Sequence, residues 1–272
     1  MAIKFFKFQG AGNDFILFDD RNKVFESHLP KRTALIKQLC NRNFGIGADG
    51  LMLLRKSETA HFEMQYFNSD GLLGSFCGNG ARCIVAFANH LGLHDTDVLL
   101  MASDGLHAAT INAQNGNLWD ISVQMADVVT SANYQDGEVV NTGSPHVMVF
   151  TEALKELDVM QQGQRIRNDE RYLPAGVNVN FVQIKGNDTI TIRTYERGVE
   201  NETLACGTGA TAAAIAAYKT GMRNSENTYT IEALGGQLKV KFSVETMGNT
   251  AKFTNIWLSG PAQWVFTGQL MD

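Results

Sequence analysis

Apolar and polar positions alternate in short runs through most of this chain, and helical periodicity is the exception. Runs at 3–8, 15–18, 51–55, 62–67, 98–102, 107–112 and 118–124 read as strands, most of them alternating and bounded by Gly, Asn or Asp. A second series follows at 147–150, 178–183, 189–195, 228–233, 238–243, 254–259 and 263–268. Period-two alternation with such boundaries is the mark of half-buried, mainly antiparallel strands. Helices are predicted at 32–40, 80–91, 153–160 and 209–220. Pro145 and Pro174 fall between periodic stretches and are expected to mark turns.

The two series are related. YFNSDGLLGSFCGNGAR (66–82) aligns without a gap on YERGVENETLACGTGAT (195–211), with an offset of 129 residues from Tyr66 to Tyr195 and again from Cys77 to Cys206. GAGNDFILF (10–18) resembles NTGSPHVMV (141–149), and GIGADGLML (45–53) more weakly resembles PAGVNVNFV (174–182). Three blocks in the same order indicate internal duplication. The fold class expected is α/β (α+β): two pseudo-symmetric halves, each a set of short strands with one central helix entered through Cys-Gly-x-Gly. The halves are placed at 1–120 and 121–260, with the crossover inside 120–133 and a ligand expected in the cleft between them.

Composition narrows the class. A 272-residue chain with 44% hydrophobic and 19% charged residues can bury a sizeable core. A net charge of −5 without any basic run longer than a pair, such as Lys31-Arg32, argues against nucleic acid as a partner. The first residues, MAIKFFKFQG, interrupt their apolar run with Lys4 and Lys7 and read as a strand rather than a signal peptide. No apolar stretch reaches the roughly 18 residues of a membrane span. Cys40, Cys77, Cys83 and Cys206 show no zinc-site spacing, which suggests reduced thiols, a cytoplasmic location and no metal.

Two of those thiols sit where chemistry is favoured. Glycines at a helix entrance leave the first N–H groups open to an anion. A free thiol titrates at about 8.5, and a helix N-terminus, worth about 0.3–2 kcal/mol, favours its thiolate. One cysteine in such a place is commonly a small buried hydrophobe. A pair, each followed by Gly and a polar cap residue (Asn79 or Thr208), suggests two opposed acid/base groups, as inversion of a stereocentre requires. Cys83 and Cys40 have no counterpart in the other half and are expected to serve packing. His146 is either structural or able to hold or deprotonate a thiol. Glu196-Arg197 is either an exposed ion pair or part of the site, and Asn13, Asn68 and Asn178 suit turns as well as ligand contacts.

These residues together resemble the diaminopimelate epimerase family. The resemblance covers nearly the whole chain, through GAGNDF (10–15), NRxFGIGADG (41–50), FNSDG (67–71), CGNGARC (77–83), GSPH (143–146), GVNVNFV (176–182), TYERGVENETLACGTGA (194–210) and GPAxxVFxG (260–268). It implies an isomerase of lysine and peptidoglycan precursor biosynthesis, often a homodimer, that interconverts L,L- and meso-2,6-diaminopimelate without a cofactor. By resemblance Cys77 and Cys206 are acid and base, with His146 and Glu196 in support. Asn13, Asn68, Asn178, Glu196 and Arg197 would hold the substrate, and Gly78-Asn79 with Gly207-Thr208 would cradle its reacting carboxylate. It also implies mostly antiparallel sheets, each wrapped around its helix, and a last strand, 261–272, that returns to the N-terminal half.

Three features depart from the family's usual pattern: Gly50, Ser144 and the apolar loop Leu72-Leu73-Gly74. The nearest rival is a proline-type racemase or hydroxyproline epimerase, which also opposes two cysteines. Its small cyclic substrate needs no recognition of a distal amino-acid end, whereas Arg197 and three asparagines suit one. A non-catalytic anion-binding protein would not need the thiols, and a Cys-His hydrolase needs one nucleophile rather than a symmetric pair. A pyridoxal enzyme would need a lysine within the motifs.

Overall fold

The computed structural model describes residues 3–25 and 32–270. The chain divides into two compact units, Met1–Val123 with Gly260–Asp272, and Gln124–Ser259. Among the described residues no helix is long and apolar enough to cross a membrane.

The first unit contains β1 (Ile3–Gly10), β2 (Asn13–Asp19), α1 (Arg32–Cys40), β3 (Gly50–Arg55), β4 (Phe62–Asn68), α2 (Gly78–His90), β5 (Asp97–Ala102), β6 (Gly105–Asn115) and β7 (Leu118–Gln124). Its sheet runs in sequence order from β1 to β7, parallel only at β2–β3 and β4–β5. The last part of the chain's final strand pairs with both β7 and β1, so this sheet closes on itself. Alternate residues point inward: Phe6, Phe8, Phe15, Leu17, Met52, Leu54, Phe62, Met64, Trp119 and Ile121 form one core around α2. That helix is buried on every side over residues 78–88, which explains its Ala-, Val- and Ile-rich sequence. The opposite faces of β1–β4 bury Phe5, Ile16, Phe18, Leu51, Leu53 and Phe67 against Ile36 and Leu39 of α1. Strands covered on both faces have no polar alternation to show, hence the continuous runs FILF and LMLL.

The second unit contains β8 (Val128–Ser131), β9 (Val139–Asn141), β10 (Pro145–Phe150), α3 (Val159–Arg167), β11 (Asn178–Ile184), β12 (Thr189–Glu196), β13 (Asn201–Thr203), α4 (Gly207–Lys219), β14 (Thr228–Ala233), β15 (Gly236–Met247) and, up to Ser259, the first part of β16 (Thr250–Leu270). Its pairings repeat the signs of the first unit: antiparallel β9–β10, parallel β10–β11, antiparallel β11–β12, parallel β12–β14, then antiparallel β14–β15–β16. The central helices match too, with α4 starting and ending 129 residues after α2. The expected α/β fold of two pseudo-symmetric halves is the fold observed.

Local expectations needed four corrections. The helix expected at 153–160 starts only at Val159, where the Asp158 side chain accepts from Gln161 N, and it runs to Arg167 through Gly163. Gly163 is required here, because an added Cβ would lie 2.4 Å from Tyr195 Cβ. Pro145 opens β10 rather than marking a turn, a strand position that spares the ladder its missing N–H. The runs 254–259 and 263–268 are one strand, β16, which takes β15 and β8 as partners before Gly260 and β7 and β1 after it. Short strands β8, β9 and β13 carried too little pattern to be read. Of the expected last strand, 261–270 is β16 and residues 271–272 lie outside the described residues.

Candidate active site

Each cysteine of the repeated motif is the N-cap of its unit's central helix, with nearly identical backbone: φ −123°, ψ 113° at Cys77 and φ −119°, ψ 114° at Cys206. An extended N-cap places its side chain beside the open N–H groups of the first turn. All four cysteines are free thiols. Burial pushes the Cys40 thiol up to about 12 and raises Cys83 further, so both are inert packing groups, as their place in the sequence suggested.

At the first entrance the Cys77 sulfur accepts from Gly80 N at 3.4 Å and donates to Asn13 Oδ1 at 3.7 Å. Asn13 opens β2 immediately after a turn whose Ala11 (φ 52°) and Gly12 (φ 84°) are both left-handed. Its amide nitrogen donates to Asp49 Oδ2 at 2.5 Å, so the side chain is held from behind. Asp49 and Asp14 share Arg42, and Asp14 also pairs with the buried Lys7 at 2.7 Å. Burial alone would raise the Asp14 carboxyl, but Arg42 and Lys7 overcome it and hold it at about 2. The Asn79 side chain turns inward and accepts from Arg82 Nη2 at 2.7 Å. Arg82, fully buried, also donates to Gly78 O and Pro261 O, both at 3.3 Å, and so fixes the entrance against β16. Asn68 ends β4 exposed to solvent, opposite Gly50.

The Gly50 departure has a steric reason. An added Cβ there would lie 2.5 Å from Tyr66 Cε2, and one at Gly74 2.4 Å from Tyr66 Cδ1. Tyr66 is thus held between two glycines, and no longer side chain fits at position 50 with this ring in place. Tyr195, its repeat counterpart, packs on Gly163 in the same manner. Gly80 and Gly209, the second glycines of the motifs, face their own sheets: an added Cβ would approach Met52 Cε at 3.1 Å and Asn180 Oδ1 at 2.5 Å. Close helix–strand contact is their role.

At the second entrance the Cys206 sulfur lies 3.4 Å from Thr208 Oγ1, and that hydroxyl lies 2.9 Å from Nε2 of His146. His146 is completely buried. Burial pushes its imidazole down to about 3, the Arg197 charge adds to this and the Asn180 hydrogen bond opposes it, so the ring is neutral at ordinary pH. Its other nitrogen meets Asn180 Nδ2 at 3.0 Å. Asn178 Oδ1 accepts from Arg197 N at 2.9 Å, and the Arg197 guanidinium donates to the carbonyls of Ala175 and Gly176. Glu196 Oε2 accepts from Thr203 Oγ1 at 2.8 Å. Thr142 Oγ1 donates to Thr208 O and braces the entrance.

The geometry thus joins Asn13, Gly78 and Asn79 to Cys77, and His146 and Thr208 to Cys206, with Asn178 beside Arg197. Sequence reading missed Asn180, Thr194 and Arg82 as individual groups, although each lies within a quoted motif. Their signal was a polar side chain at a position the strand or helix buries.

The family model described as diaminopimelate epimerase matches residues 5–131 and 138–265. The chain belongs to the diaminopimelate epimerase family. The diaminopimelate epimerase of Flavobacterium psychrophilum is 49% identical over 266 residues, covering 97% of this chain and 98% of the relative. Similar solved structures are a phenazine biosynthesis protein of the PhzF family from Bacillus anthracis (TM-score 0.75, 13% identity, all of both chains) and a hydroxyproline epimerase from Agrobacterium vitis (TM-score 0.67, 15% identity, 99% and 92%). At those identities the structures share its fold. Diaminopimelate epimerase relatives share its sequence over nearly its whole length.

Proposed function

We propose that this chain is a cofactor-independent isomerase interconverting L,L-2,6-diaminopimelate and meso-2,6-diaminopimelate, with Cys77 and Cys206 as its two proton-transfer groups. One observation carries the proposal: the same N-cap thiol stands on the same central helix in both units, with matching backbone angles. The family to which the chain belongs supplies the substrate. In this scheme one sulfur, as thiolate, takes the α-proton and becomes a thiol. The electron pair left on the α-carbon spreads into the adjoining carboxylate. The other thiol delivers its proton to the opposite face and becomes the thiolate, so the reverse reaction begins from the exchanged state.

The N–H groups of Gly78-Asn79 and Gly207-Thr208 are the donors proposed for that carboxylate, where preorganised dipoles cost no reorganisation during reaction. Asn13, Asn68, Asn178, Glu196 and Arg197 are proposed to bind the remainder of the substrate. His146 supports Cys206 through Thr208 in this scheme, Asn13 supports Cys77, and Glu196 is proposed as a further supporting group. The proline-type alternative shares the fold, but the sequence relatives favour diaminopimelate. Acidic composition and free thiols support a cytoplasmic location without nucleic-acid partners, and the resemblance to a family that is often dimeric supports a homodimer. Incubation with L,L-diaminopimelate in heavy water, without added pyridoxal phosphate or metal, is expected to give the meso isomer with deuterium at the α-carbon. Absence of both products would overturn the proposal, and proline racemisation would put the alternative in its place.

A further inference from the structure

Asn180 takes part in none of the roles assigned above, yet it is completely buried at the centre of the polar contacts behind Cys206. Its amide orientation is set on two sides. Thr194 Oγ1 donates to Oδ1 at 2.9 Å, and Nδ2 faces the carbonyl of Val147 at 3.4 Å, which can only accept. The same Nδ2 therefore donates to Nδ1 of His146 at 3.0 Å. A neutral imidazole that accepts at Nδ1 carries its proton on Nε2, and Nε2 faces Thr208 Oγ1 at 2.9 Å. With Nε2–H donated to the hydroxyl oxygen, the hydroxyl proton is free to point at Cys206 Sγ, 3.4 Å away.

We infer that Asn180 is a positioning residue: it fixes the tautomer of His146 and so makes Cys206 a hydrogen-bond acceptor, the sulfur that rests as thiolate. The first unit is polarised the other way. Asn13 gives its N–H to the Asp49 carboxylate and presents Oδ1 to Cys77, so Cys77, although it also accepts from Gly80 N, has an oxygen to take its own proton and is the sulfur that rests as a thiol. Duplication supplied two similar thiols, and their unequal surroundings give the free protein one base and one acid. The charged group acting on the His146 ring is Arg197, held on the carbonyls of Ala175 and Gly176, while its neighbour Glu196 is engaged by Thr203. The first turn of α4 contributes no acidic residue. Among the described residues the charged groups near Cys77 include Arg82 and, behind Asn13, the cluster of Lys7, Asp14, Arg42 and Asp49. The catalytic meaning of this asymmetry rests on the proposed function, but the polarity itself does not.

Asn180→Asp tests it, because the new carboxylate can only accept. The ring must then donate from Nδ1; where burial keeps it neutral, Nε2 accepts from the Thr208 hydroxyl, and the freed lone pair of that hydroxyl accepts from a Cys206 thiol. Nitrogen NMR of His146 is expected to show the Nε2–H tautomer in the wild type and Nδ1–H in Asn180→Asp. Site-resolved iodoacetamide labelling is expected to give Cys206 a lower pH midpoint than Cys77 in the wild type. In Asn180→Asp, labelling of Cys206 at about pH 7 should slow about tenfold, equivalent to one unit of pH midpoint, with Cys77 unchanged. An Nδ1–H tautomer in the wild type, a Cys206 midpoint at or above that of Cys77, or unchanged Cys206 labelling in a folded Asn180→Asp overturns the inference. The wild-type measurements decide it alone if the variant does not fold. Neither readout needs turnover, so failure of epimerisation is told apart from failure of this proposal.

Discussion

Lys219 reaches Glu138 from the last turn of α4, Nζ to Oε2 at 2.5 Å, with the lysine side chain wholly buried. The same ammonium donates to Thr130 and Ser131 of β8, so the end of the helix opposite Cys206 is tied to that strand. Removing one partner of a buried pair leaves an uncompensated charge, at a cost of about 3–5 kcal/mol. Glu138→Leu is expected to lose about that much in urea unfolding. Adding Lys219→Met should recover most of it, and a double variant no better than the single would show that the pair is not the cause.

Gly163 and Gly50 are closed to any side chain by the rings of Tyr195 and Tyr66. Gly163→Ala and Gly50→Ala are each expected to lower stability by about 1–3 kcal/mol, since the contact is to packed atoms near the backbone. Thermal unfolding checks this. A neutral or stabilising Gly163→Ala, as helix propensity alone would give, would contradict the packing account.

His146 makes the second unit sensitive to acid. In the unfolded chain an imidazole binds a proton below about 6.5, whereas in the fold this ring does so only near about 3. Between those values the unfolded state holds more protons. Its contribution is therefore complete above the upper value and is lost as pH falls toward the lower one. Unfolding midpoints should decline from about pH 7 to about pH 4, and His146→Gln should flatten that decline. An unchanged slope in the variant would assign the acid sensitivity to other groups.

Cys77→Ser and Cys206→Ser are each expected to reduce epimerisation at least about 100-fold, the lower range for loss of a positioned acid or base. Alpha-proton exchange and meso formation should be followed separately. Full turnover by either variant would end the two-base scheme.

If both sulfurs serve one α-carbon, mild peroxide should oxidise the two thiols to a disulfide, with the peroxide reduced to water. Peptide mapping is expected to find Cys77 joined to Cys206, and dithiothreitol to restore activity. Inactivation without that linked peptide would count against a shared substrate position.

Much was legible in the chain because it is local or repeated. Alternation located the long strands, and the 129-residue offset of the cysteine motifs anticipated two central helices of equal length, Gly78–His90 and Gly207–Lys219. Pattern failed where the deciding contact is distant. The helix expected to end at 160 continues through Gly163 because Tyr195 packs on it, and the runs expected at 254–259 and 263–268 are one strand that changes partners at Gly260.

The thiols, their glycines and their helix entrances follow from the order of residues alone, since a cap and its first turn are neighbours in the chain. The polarity of each thiol does not. It depends on Asn13 meeting Asp49, and on Thr194, Asn180 and His146 meeting Thr208, side chains that only the pairing of β10, β11 and β12 around α4 brings within hydrogen-bond distance. Hydrogen bonds act over about 3 Å, whatever the separation along the chain, so the fold had to decide them.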